Sequence, residues 1–475
     1  MQYQEDTRFY IDGAWVDRAN APRIEVFNPA TEEAFGAIAA GTAEDVDLAV
    51  AAARRAFDGF SRTPVAERLA LLERIRDLLE ERSEQFAQAI TQEMGAAITF
   101  SRAGQCHFGI EHVRVAIDVL RDFEFEREID GIHVRREAAG VVAAITPWNW
   151  PLYQITAKLA PAFAAGCTVV LKPSELSPFT ALLFAQVVHD AGMPAGVFNL
   201  VMGTGETVGT AMSVHPEVDM VSFTGSTRAG IEVARNAAPT IKRVVQELGG
   251  KSPNLLLDDA DFAKAVPAGV LASMRNGGQS CAAPTRMLVP RTRLAEVEEL
   301  AREAAEAVVV GDPLDEGSTI GPLANKPQFE KVQALIQVGI DEGAKLVCGG
   351  PGRPAGLNRG FFVRPTVFSE VTPEMRIAQE EIFGPVLSIQ PYEDEEDAIR
   401  IANATLYGLS SHVQSADIER ARRVATRIRA GQVHINYPAW SGYAPFGGYR
   451  QSGNGREYGV FALEEYLEIK AVLGY

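Results

Sequence analysis

The chain has 475 residues, 47% of them hydrophobic and 23% charged, and a formal net charge of −17. That length exceeds one simple core and divides into two or three domains. An acidic balance without a basic block excludes nucleic acid and anionic membrane surfaces as expected partners. Four unevenly spaced cysteines with no CxxC pair argue against a disulfide framework or a zinc cluster and point to a reducing compartment. The seven histidines form no HExxH or similar spacing, so no metal is expected. The start MQYQEDTRFYIDGAWVD is polar and acidic, and no later run reaches membrane-spanning length. The expected location is the cytoplasm, with no membrane partner.

FYIDGAWV reads as a hairpin on Asp12-Gly13, a pair suited to the positive-φ turn. Thr42 then caps a helix over AEDVDLAVAAARRAF, and Thr63-Pro64 opens one longer helix running through LALLERIRDLLEERSEQFAQAI. FEFEREIDGIHVRRE is a second hairpin, on Asp130-Gly131. A lone hairpin is marginal and needs a sheet to join. The C-terminal YLEIKAV alternates in the same way, which predicts a small sheet completed between subunits.

From residue 140 to about 257 the apolar runs VVAAI, TVVLK, VFNLV, MVSF and PNLLL alternate with helical stretches, an α/β pattern with parallel strands. A second α/β series, from RMLVP near 286 through PVLSIQPY to QVHIN near 432, predicts a separate domain. No fixed-period repeat or low-complexity segment is present.

The chemistry centres on Cys281 in NGGQSCAAPTR and Glu247 in QELGGKSP. A thiolate attacks a carbonyl, and a separate carboxylate activates the water that cleaves the resulting thioester. Gly277 and Gly278 would let backbone pass close to a substrate, and a helix starting after Cys281 would supply amide donors that favour thiolate. Cys106, Cys167 and Cys348 read as packing residues. Glu247, before Gly249-Gly250, stands where a carboxylate can swing, although a helix-end glutamate is usually only solvated.

Asn149 in TPWNWP is either an oxyanion donor beside the Cys281 N–H or an asparagine serving its own turn. Lys172 and Glu175 in KPSE form either a ribose-reading pair, with Glu175 repelling a 2′-phosphate, or a surface ion pair. MGTGETVG, with Gly205 and Gly209, lacks GxGxxG spacing. Gly225 and Ser226 in FTGSTRAG open a helix after a strand, where amides meet a phosphate. Glu381 and Phe383 in EEIFGPV suit sugar hydroxyls and a nicotinamide ring, or, for Phe383, the core.

TPWNWP, KPSE, FTGS, ELGGKSP, GQSC, EEIFGPV and PFGG occur in this order over nearly the whole chain, and the set resembles the NAD(P)-dependent aldehyde dehydrogenase superfamily. The resemblance implies an α/β fold in three parts. Residues 1–117 and 139–248 would bind NAD in a Rossmann-type domain, 249–447 would form the catalytic domain, and 118–138 with 448–475 a β-flap that joins subunits into a homodimer or homotetramer.

It further implies Cys281 as nucleophile, Asn149 as oxyanion donor and Glu247 as general base, with Glu457 as a proton relay. Lys172 and Glu175 would read the adenosine ribose, Ser226 the pyrophosphate, and Glu381 and Phe383 the nicotinamide end. Thr146, Pro147, Trp148, Ser174, Gly205, Gly209, Phe223, Gly225 and Leu248 would complete the cofactor surface. NAD is favoured over NADP.

The implied reaction oxidises a small-molecule aldehyde to its acid through a thiohemiacetal and a thioester. Relatives that pass the acyl group to coenzyme A typically lack the glutamate; a CoA-acylating enzyme and an idle binding protein on the same fold are the alternatives. Trp150 stands where many relatives carry phenylalanine, and the loop YPAWSGYA carries Tyr437, Trp440 and Tyr443 but no arginine or lysine. That composition favours an apolar or aromatic aldehyde.

Overall fold

The computed structural model describes residues 4–475. Two large sheets organise the chain, and the site lies where loops at their strand ends meet. The first sheet has eight strands in the order Gly453–Asn454, Arg243–Glu247, Met220–Thr224, Val141–Ile145, Thr168–Lys172, Phe198–Leu200, Arg8–Ile11 and Ala14–Asp17. Its five central strands are parallel. Val141–Ile145, Thr168–Lys172 and Met220–Thr224 are buried at every position, which is why they read as largely apolar runs.

The strand order reverses beside Val141–Ile145: the chain builds outward to Phe198–Leu200, then returns to place Met220–Thr224 on the other flank. Such a reversal opens a crevice at the carboxyl ends of the two flanking strands. Both TPWN and TGS follow those ends.

The Asp12-Gly13 turn has φ of 54° and 78° at its two residues, and its hairpin extends the sheet edge through Leu200 and Tyr10. At the N-terminus of helix Ala43–Phe60 the Asp45 carboxylate accepts the Thr42 N–H at 2.9 Å. The single long helix expected after Pro64 is two helices, Val65–Glu81 and Ser83–Met94. Arg82, at φ −100° and ψ 11°, breaks them and pairs with Asp190 at 2.7 Å. The break turns Phe86, Ile90 and Met94 into the core, and one non-helical residue leaves the apolar spacing almost unchanged.

The second sheet runs Lys345–Cys348, Thr366–Ser369, Val386–Tyr392, Arg286–Pro290, Pro253–Leu256, Ser410–Gln414 and Gln432–Ile435, parallel except at its first pair. PNLLL therefore belongs here and not to the first series. Gly249-Gly250 carries the chain across, between Arg243–Glu247, a strand the apolar runs had not marked, and Pro253.

The hairpin on Asp130-Gly131 pairs Glu126–Ile129 with Ile132–Ala138, and Leu467–Val472 adds antiparallel to the latter. This small sheet leaves Ile129, Ile469, Leu473 and Tyr475 exposed. Among the described residues no helix is long and apolar enough to cross a membrane, and no group of three or more His, Cys, Asp or Glu side chains is placed to hold a metal.

Candidate active site

Cys281 lies where two cavities meet. One, of about 380 Å³, is walled by Phe108, Trp150, Tyr153, Trp440, Phe446 and Tyr458. The other, of about 180 Å³, sits at the strand-order reversal and is lined by Pro147, Trp148, Asn149, Gly225, Ser226, Leu248, Glu381 and Phe383 among others. Cys281 is the residue common to both linings. A group attached to its sulfur would therefore be open to each side.

The loop before the thiol is wound left-handed, with φ of 58°, 66° and 73° at Asn276, Gly277 and Gly278. A Cβ at Gly278 would stand 2.1 Å from the Gly384 oxygen, so these glycines serve the loop's conformation and its contact with protein backbone, and the expected approach to substrate is not their role. No helix follows Cys281: a turn leads directly to the strand Arg286–Pro290. The expected helix-end donors are absent, and the Ala282 N–H favours the thiolate. Burial and the Glu381, Glu247 and Glu457 carboxylates push the thiol well above its ordinary range.

Asn149 is buried and fixed to this same loop. Its Nδ2 donates to the Gln279 carbonyl at 3.0 Å, while its own carbonyl accepts from Asn276 at 2.9 Å and Gln105 at 3.2 Å. An amide group has two N–H donors, so one remains beyond the bond to Gln279. On the other side the Trp150 indole donates to Ser280 Oγ at 2.9 Å, a bond that phenylalanine could not make.

Glu247 ends its strand at 1% exposure, with neither carboxylate oxygen hydrogen-bonded. It is a packed side chain at a strand end, not a solvated one at a helix end. Burial, and then the neighbouring Glu457, hold its carboxyl well above the usual range, with Lys158 and Arg456 opposing. Glu457 is tied to the fully buried Lys158 at 2.5 Å. A Cβ at Gly447 would stand 2.8 Å from Glu247 Oε1, which gives PFGG a steric reason.

Thr146, Lys172, Ser174, Glu175, Gly205 and Gly209 lie at or beyond the carboxyl ends of first-sheet strands, outside the smaller cavity's lining. Thr146 is buried, its N–H on the Lys172 carbonyl at 3.1 Å. Lys172 Nζ meets Glu175 at 3.0 Å, with the lysine buried and the carboxylate part-exposed. Ser174 Oγ accepts the Leu176 N–H at 3.2 Å and so shapes the turn. Gly205 is exposed over open space, Gly209 is buried, and the Phe223 ring lies under Gly225. Ser226 caps helix Thr227–Ala237 by accepting from Ala229 at 3.3 Å, leaving its hydroxyl proton free to donate. Phe383, at φ 64°, meets Trp148 edge-on at 5.5 Å. It lines the cavity and is not core.

Sequence reasoning missed the larger cavity's distant contributors. Tyr153 and Tyr458 are 305 positions apart, yet their hydroxyls meet at 2.6 Å. The Phe108 and Trp440 rings meet at a tilt, centroids 4.6 Å apart, and Arg275, outside the loop YPAWSGYA, brings an exposed cation to the lining. No local signal marks these residues.

Residues 15–472 match the Aldehyde dehydrogenase family. The chain belongs to that family. It is 57% identical to 3-succinoylsemialdehyde-pyridine dehydrogenase of a Pseudomonas species over 98% of each chain. Among solved structures, an alanine variant of aldehyde dehydrogenase C from Pseudomonas syringae, in complex with NAD+ and octanal, is 62% identical with a TM-score of 0.98, covering 98% of this chain and 96% of that one. Betaine aldehyde dehydrogenase of Staphylococcus aureus, in complex with NAD+, is 37% identical with a TM-score of 0.95, covering 98% and 94%. This aldehyde dehydrogenase family member is accordingly an α/β enzyme of aldehyde oxidation, and the motif set read from its sequence pointed to the right family.

Proposed function

We propose that the protein oxidises an apolar or aromatic aldehyde to its carboxylic acid with NAD, through an acyl group carried on Cys281. The observation that carries this reading is the shared position of Cys281 between an aromatic cavity and a polar cleft at the strand reversal. The cleft suits a dinucleotide: amides and a hydroxyl open helix Thr227–Ala237, and the part-exposed Glu175 disfavours a 2′-phosphate. Bound there, NAD would supply the oxidant, taking one hydride from the substrate carbon.

The chain's residues do the rest. Cys281 gives its proton to solvent water and its sulfur bonds to the carbonyl carbon, giving a thiohemiacetal whose oxygen carries the charge. The spare Asn149 N–H and the Cys281 backbone N–H hold the oxyanion. Loss of hydride leaves a thioester. Glu247 takes a proton from water, the hydroxyl adds to the acyl carbon, and the C–S bond breaks to return the thiolate and release the acid. Lys158 and Glu457, beside Glu247, provide a route for its proton.

The aromatic walls support the substrate class, as do the octanal bound by one relative and the pyridine semialdehyde named for another. Arg275 is exposed, where hydration weakens its hold on a carboxylate. Octanal and benzaldehyde are expected to exceed succinic semialdehyde in kcat/KM by roughly tenfold or more, as apolar burial of a few methylenes provides. NADH formation across these aldehydes, repeated with NADP, checks both preferences. A lead for succinic semialdehyde or for NADP would reject the corresponding part.

The division into an NAD-binding domain (1–117 and 139–248), a catalytic domain (249–447) and an oligomerisation element (118–138 and 448–475) belongs to the same proposal. Exposed Ile469 and Leu473 support use of the small sheet between subunits. Light scattering is expected to give a dimer or tetramer; a stable monomer would contradict it.

A further inference from the structure

The larger cavity is not uniformly apolar. Ser410 and His412 alternate along the strand Ser410–Gln414, and Gln432 and His434 sit directly opposite them on the parallel neighbour Gln432–Ile435. All four line the cavity. They form one polar stripe, because alternate residues on paired strands share a face.

Two members have unused hydrogen-bonding capacity. Ser410 Oγ and His412 Nδ1 are buried without a hydrogen-bond partner. The His412 and His434 rings stack, centroids 4.7 Å apart at 19°. Gln432, by contrast, spends its amide on Pro445, at 2.9 Å. Burial holds both imidazoles below their ordinary range, His412 at about 3, so the stripe is uncharged at neutral pH. Each neutral ring carries one N–H and one lone pair.

The stripe also has a direction relative to the reacting sulfur. Both Leu409 Cβ and the Cys281 carbonyl lie against Gly250, so the strand begins beside Cys281. His412 stands two residues further along than Ser410, about 7 Å at the rise of an extended strand.

Resting on the aldehyde-oxidising reading above, we propose that Ser410, His412 and His434 determine specificity by hydrogen bonding a neutral polar group, such as a ketone carbonyl, several bonds away from the aldehyde of an otherwise apolar substrate. A purely hydrocarbon chain leaves the serine and imidazole unpaired, whereas a carbonyl at that depth satisfies them.

The test uses matched ligands that differ in one carbonyl. Trp150 and Trp440 line the cavity, so tryptophan fluorescence reports occupancy without turnover. The full-length enzyme is titrated with 1-phenylbutan-1-one and with butylbenzene, and kcat/KM is measured for 4-oxo-4-phenylbutanal and 4-phenylbutanal.

Combining His412→Phe with His434→Phe is expected to shift the ketone-to-hydrocarbon ratio about tenfold against the ketone in both measurements, the loss of one hydrogen bond. The corresponding glutamine substitutions, which keep donors and acceptors, are expected to hold the ratio within about twofold. A ratio unmoved by phenylalanine, or moved equally by glutamine, would overturn the proposal. Should the double variant not fold, His412→Phe alone, at a part-exposed position that bears the unpaired Nδ1, carries the same expectation. Failure to oxidise either aldehyde would count against the enzymatic reading, while the fluorescence ratio would still decide the stripe.

Discussion

Replacing Cys281 with alanine is expected to abolish steady NADH formation, with kcat falling on the order of 10⁴-fold or more, as when a nucleophile is removed from other covalent enzymes. Cys281 is the residue shared by both cavities, so no second thiol can stand in. Cys106 and Cys167 are fully packed; burial pushes the first up to about 12, and the second donates to the Tyr466 carbonyl at 3.3 Å. Cys348 lies on the opposite edge of the second sheet. The variant should still bind NAD, because Lys172, Glu175 and Ser226 follow first-sheet strands that do not depend on the Cys281 sulfur. Stopped-flow and steady-state absorbance at the NADH band check the loss. Residual turnover above about 1% of wild type would assign the chemistry elsewhere.

The second large effect is expected from Glu247→Gln, which keeps the side chain's volume in its buried site but removes the base. Acylation and hydride loss proceed, so one equivalent of NADH forms in a burst. Hydrolysis then slows by about 10²–10⁴-fold, the range for a lost general base. The raised Glu247 pKa fixes the sign of the pH dependence. At low pH the carboxyl is protonated and cannot accept water's proton; steady turnover climbs as pH rises through a pKa above the usual carboxylate range. In the glutamine variant that limb of the steady rate disappears. The burst keeps the rise with pH that belongs to Cys281, whose thiol is also pushed upward. A variant with undiminished steady turnover would remove Glu247 from the base role.

Much of this arrangement was legible in the sequence because its signals are local. Asp12-Gly13 and Asp130-Gly131 can satisfy two positive φ angles in succession, and both form hairpins. Strands covered on both faces need apolar side chains throughout, so VVAAI and TVVLK announce themselves. The motifs near Asn149 and Ser226 follow strands that flank the sheet's reversal, and such positions recur in α/β folds.

What stayed hidden depends on contacts across long sequence distances. The strand Arg243–Glu247 begins with charge and ends in a buried carboxylate, so its pattern does not read as a strand. PNLLL looks the same whichever sheet receives it. The thiol's surroundings were misjudged for a related reason: residues following Cys281 have helix-compatible composition, and only packing shows them passing straight into Arg286–Pro290. The polar stripe needs the register between two strands, His412 opposite His434, before four scattered residues become one surface.

The central claim is that the acyl group rides on one sulfur while Glu247 waits to release it. Mixing the Glu247→Gln enzyme with NAD and octanal, quenching in acid after the burst and mapping peptides by mass spectrometry tests that claim most directly. The account predicts an octanoyl mass increment on the peptide containing Cys281, in stoichiometry with the NADH burst. An increment on another residue, or a burst with no protein-bound acyl group, would contradict it.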